Sequence, residues 1–100
     1  GMTKNEVLDY VVDANRIFDA FEALPQITIA AINGKLMAGA SEFALACDIR
    51  IAGEHSTLML PEARWGGFPG AGGPHRLPMA VGHAHALELI ATGKEINARE

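Results

Sequence analysis

Cysteine is nearly absent from this chain of 100 residues: Cys47 stands alone. No internal disulfide can form, and a reducing, cytoplasmic setting is expected. By itself Cys47 reads as a small buried apolar residue. No charge of one sign dominates, because eight Lys and Arg face twelve Asp and Glu, scattered rather than blocked, for a net charge of −4. That balance argues against a nucleic-acid partner or an anionic membrane surface. No apolar run approaches the length of a membrane span, and Met2-Thr3-Lys4-Asn5-Glu6 lacks the apolar core of a signal peptide. No membrane partner is expected. Phosphate-binding signatures are incomplete: Gly70-Ala71-Gly72 has no third glycine at the required spacing, and no Gly-Lys-Ser/Thr follows. Phe43 replaces the final glycine that Gly39-Ala40-Ser41-Glu42-Phe43 would need as a nucleophile elbow. The four histidines, His55, His75, His83 and His85, have no acidic or thiol partner at ligand spacing, so no metal site is expected.

What is present is an α/β pattern at a length that makes one domain or part of one. Val7, Val11, Ala14, Phe18 and Phe21 follow helical spacing, with Leu8, Ile17 and Leu24 widening the stripe, and predict an amphipathic helix over 6–24. Pro25 stops it. Strand and helix then alternate over a core of 27–93. The apolar run 27–32 predicts a buried strand covered on both faces and closed by Asn33-Gly34. A helix starting near Ala40 and running to Cys47 comes next, followed by strands over 49–52 and 57–60. Pro61 ends the last of these. The glycine-rich stretch 66–73 is a loop, and two helices follow it, one to about Val81 and one from His83 to Thr92 capped by Gly93. Asn97-Ala98-Arg99-Glu100 carries the pattern of a helix start.

Two glutamates in this pattern have chemical promise. Glu42 lies at the start of a helix just after Gly39, where unpaired amides can donate to a developing oxyanion and a carboxylate one turn along can move a proton. The alternative is that Glu42 only favours the first helical turn electrostatically. Glu62 follows the strand end at Pro61, a place where site residues often project, but Pro-Glu also opens helices. Trp65 reads as core rather than as a cover over Glu62.

Taken in order, these residues resemble the enoyl-CoA hydratase/isomerase (crotonase) superfamily. The resemblance runs through Ile29-Ala30-Ala31-Ile32-Asn33-Gly34, Ala38 to Ala52, Leu60-Pro61-Glu62, Pro69-Gly70-Ala71-Gly72-Gly73, Arg76-Leu77 and Thr92-Gly93-Lys94. It covers about three-quarters of the chain. The fold implied is a partial crotonase-like β-β-α spiral, truncated at both ends, in one partial domain over 1–100. The function implied is enoyl-CoA hydration, with Glu42 and Glu62 as the catalytic carboxylates, Gly39 as an oxyanion-hole backbone donor and Gly70 as a substrate-binding loop glycine. The resemblance implies an acyl-CoA thioester as substrate, no resident cofactor or metal, and a homo-oligomer. Ala38, Ala40 and Ser41 depart from the glycines and cysteine common in hydratases. The family's first oxyanion donor comes from a segment of Ala-Gly-x-Asp type, which residues 1–24 do not match. Whether the chain acts as an enzyme is therefore left open, with a non-catalytic interaction module and an enoyl-CoA isomerase as the other readings.

Overall fold

The computed structural model describes residues 1–100. Helix α1 spans Lys4–Glu22. It starts two residues before the predicted point because Thr3 and Glu6 form a reciprocal cap: the Glu6 amide donates to Thr3 Oγ1 at 3.1 Å and the Thr3 amide to Glu6 Oε1 at 3.4 Å. Strands β1 (Ile29–Ile32) and β2 (Lys35–Met37) follow on either side of Asn33-Gly34, then α2 (Gly39–Leu45), β3 (Ile49–Ala52) and β4 (Thr57–Met59). A single 3-10 turn, Pro61–Trp65, leads into the glycine-rich loop, and α3 (Gly73–Val81), α4 (His83–Thr92) and the two-residue β5 (Ile96–Asn97) complete the chain. Strand β1 pairs parallel with β3, β2 pairs parallel with β4, and β5 adds antiparallel to β4. Strands β1 and β2 thus each lie beside their counterpart one β-β-α unit later, which is the step of a β-β-α spiral.

Side chains lock these steps together. Arg50 Nη1 donates to the carbonyls of Ala44, Leu45 and Cys47, satisfying the C-terminal end of α2. Ser56 Oγ donates to the Ile32 carbonyl and accepts from the Gly34 amide, tying the two strand turns. Buried Ser41 donates to the Met59 carbonyl at 2.8 Å. Leu45, Leu60, Leu77, Ala86 and Leu89 form the core between α2, α3 and α4, with Ile90 and Ile96 packed against it. Each fully buried leucine contributes about 1.5–3 kcal/mol. Cys47 is buried, as its type suggests.

Several expectations need correction. Strand β1 is not covered on both faces: Ile29 and Ala31 are exposed while Ala30 and Ile32 are half-buried. Leu8, Ile17 and Leu24 do not extend the packed stripe of α1 and are exposed. Trp65 is 66% exposed, so it is neither core nor a cover over Glu62. At 97–100 the capping pattern forms, with the Glu100 amide donating to Asn97 Oδ1 and the Asn97 amide to Glu100 Oε1, both at 3.1 Å. Yet Asn97 belongs to β5, and the residues after it make a turn. No helix is long and apolar enough to cross a membrane.

Candidate active site

One cleft of about 410 Å³ collects all four residues singled out from the sequence: Gly39, Glu42, Glu62 and Gly70. Helix α1 forms its apolar wall through Val7, Tyr10, Val11, Ala14 and Phe18, and Phe68 also lines the cleft. Phe43 of α2 fastens that wall, since its ring lies 5.4 Å from Phe18 and 4.7 Å from Phe21.

Gly39 is the first residue of α2, where helical amides have no intrahelical acceptor. The residue before it, Ala38, has φ 53° and ψ −121°, the one non-glycine residue with positive φ in the chain. Because ψ of residue 38 orients the peptide that carries the Gly39 amide, this strained backbone sets the direction of that donor.

Glu42 is 3% exposed. Its Oε2 accepts from the amides of Ala71 at 2.7 Å and Gly73 at 2.8 Å, at the start of α3. Neither sequence alternative anticipated this anchor: the carboxylate serves the amino end of α3 as well as lying in the first turn of its own helix. A Cβ on Gly73 would stand 3.1 Å from Glu42 Oε2, so glycine there lets the carboxylate reach the amides. Burial pushes the Glu42 carboxyl above its ordinary value. The Gly73 and Ala71 amide bonds pull against that push, neighbouring Glu62 adds to it, and Arg76 opposes it.

Glu62 sits on the 3-10 turn opened by Pro61, so the helix-opening reading and the projection into a cleft hold together. Its Oε1 is buried and finds no donor among the protein's own groups. Gly70 lies opposite Val11, and its carbonyl accepts from Asn15 Nδ2 at 2.6 Å.

Sequence reasoning passed over two polar groups that hold this cleft together. Asn15 bridges the Val11 and Gly70 carbonyls, and Arg76 pairs with Asp19 and Glu22 of α1. Arg76 entered only as part of the Arg76-Leu77 match. The only available signal was a polar residue within an apolar stripe, which holds for Asn15 between Val11 and Phe18.

The profile of the enoyl-CoA hydratase/isomerase family matches residues 3–100. The chain belongs to that family. It is 43% identical over 100 residues to the enoyl-CoA isomerase/hydratase fer4 of Mycosarcoma maydis, covering 99% of this chain and 36% of fer4. The enoyl-CoA hydratase of Bacillus anthracis superposes with a TM-score of 0.92 at 44% identity, over 99% of this chain and 38% of that one. For the enoyl-CoA hydratase of Thermoplasma volcanium the TM-score is 0.95 at 32% identity, over 100% and 40%. This member of the enoyl-CoA hydratase/isomerase family therefore has the crotonase fold over its length, and it spans well under half the length of these relatives.

Proposed function

We propose that this chain carries the acid/base pair and one oxyanion donor of an enoyl-CoA hydratase, which adds water to a 2-enoyl-CoA thioester. The observation that carries the reading is the meeting of Glu42, Glu62 and the amino end of α2 at Gly39 in one cleft. In the proposed reaction the water oxygen bonds to C3 and its proton passes to a carboxylate. Electron density moves to the thioester oxygen, forming an enolate that the Gly39 amide stabilises. A carboxyl then delivers a proton to C2, so that water adds across the double bond. Two neighbouring carboxylates divide these tasks, and a water donating to the unpartnered Glu62 Oε1 would satisfy that buried oxygen. The apolar wall from α1 suits the acyl chain beside them.

The test is the loss of enoyl thioester absorbance when crotonyl-CoA is mixed with the protein. Glu42→Gln and Glu62→Gln should each lower the rate by about 100-fold or more. If absorbance does not fall while calorimetry still detects coenzyme A binding, the chain is a binding module instead. Loss of activity in only one variant, with a shifted double bond in the product, would favour isomerisation.

A further inference from the structure

Arg76 occupies the first turn of α3 with only 3% of its side chain exposed. A guanidinium in that position needs its donors filled, because a buried unpaired charge is strongly unfavourable. Its Nη2 lies 2.7 Å from Asp19 Oδ1, and its Nε lies 3.0 Å from Glu22 Oε2. Those acids sit three residues apart near the end of α1 and remain 62% and 48% exposed. Burial does not compel them to pair, so the arginine draws α1 toward α3.

The other side of the guanidinium touches the loop that serves Glu42. Arg76 Nη1 donates to the Ala71 carbonyl at 3.4 Å, while the Ala71 amide donates to Glu42 Oε2 at 2.7 Å. One residue is thus held by the arginine and holds the carboxylate. Between them Gly72 has φ +100°, and a Cβ there would come within contact of Arg76 Nη1. The backbone at Gly72 leaves the slot in which the guanidinium lies. Helix α1 contributes no fully buried residue. Its seat over the cleft therefore depends on its half-buried stripe, the Asn15 bridge to Gly70 and this ion-paired fork.

We propose that Arg76 is a positioning residue for Glu42, clamping α1 to the 69–73 loop so that the Ala71 and Gly73 amides stay aimed at the carboxylate. The charges and titratable groups bearing on Glu42 are Glu62 from the 3-10 turn and Arg76 from α3, with Tyr10 lining the cleft from α1. Asp19 and Glu22 act on Glu42 through Arg76. Losing the arginine removes the nearby positive charge and loosens the amide cradle together. Both changes raise the pH at which Glu42 ionises.

The experiment is a carbon-13 NMR titration of the Glu42 carboxyl, with hydrogen exchange at the Ala71 and Gly73 amides, on the full chain without substrate. Arg76→Gln should raise the Glu42 midpoint and speed exchange at both amides by about tenfold or more, with α4 protection unchanged. Arg76→Lys should bring the midpoint back toward the original while exchange stays fast, because an ammonium keeps the charge and loses the fork. If Arg76→Gln does not fold, Asp19→Asn with Glu22→Gln keeps a carbonyl acceptor for the guanidinium on each side chain while removing the charge of the fork, and should still speed exchange at the two amides. An unmoved midpoint in folded Arg76→Gln, or unmoved exchange in the double variant, would overturn the proposal. Its consequence for rate rests on the hydratase reading, but neither readout uses turnover, so failure of that reading leaves them interpretable.

Discussion

Glu42 joins a catalytic proposal to a stability cost. Burial holds its carboxyl above the usual 4.5, favouring the protonated form in the folded chain. The contribution to stability is therefore fully present below the usual value and is lost as pH rises through the folded value. As pH rises through the folded value, ionisation of Glu42 works against folding, despite its two amide bonds. Glu42→Gln keeps a carbonyl oxygen for those amides and never ionises. We expect this variant to melt at a higher temperature than the parent at pH 7, with the difference closing below about pH 4.5, while hydration is lost. A melting temperature below the parent's at pH 7 would show that the amide bonds to a full negative charge outweigh desolvation.

The start of α2 shows the same tension in a helix. Ala38 holds φ 53° and ψ −121°, a region that residues with a Cβ rarely enter, at about 1–3 kcal/mol. Glycine would relieve that strain and give back about 0.5–1 kcal/mol through the freer unfolded chain. Ala38→Gly should therefore raise stability by about 1 kcal/mol, read as a higher denaturant midpoint with an unchanged slope. A lower midpoint would mean that the alanine methyl packs more than its backbone strains. How far the sequence disclosed these elements follows from their length. Helix α1 carries a full apolar period ended by Pro25, and α4 ends at the cap Gly93, so both were legible to within a few residues. Strands β2 and β5 have three and two residues, too few to establish any period, and pairing with β4 alone makes them strands. The glutamates were legible as types in suggestive settings. Their anchoring was not, since Glu42 meets amides 29 and 31 residues away and Arg76 meets acids 54 and 57 residues away.

For the whole molecule the informative feature is the face left open by β1 and β3. Parallel register places Ile29 beside Ile49 and Ala31 beside Ile51, so these four side chains share one face. Ile29 is 57% exposed and Ile51 61%, whereas parallel strands are ordinarily covered on both sides. The sheet has only two strands, so its outer backbone edges are also unprotected. A net charge of −4 gives little repulsion between copies, and two identical apolar faces can meet about a two-fold axis. The chain should therefore self-associate, with light scattering at high micromolar concentration giving a mass above the 10.6 kDa of one copy. Ile29→Lys combined with Ile51→Lys should return the mass to one copy, because a charge on each strand would have to be buried for the faces to meet. A parent chain that stays at monomer mass across that range would mean that the exposed isoleucines are too small a patch to overcome the entropy of association.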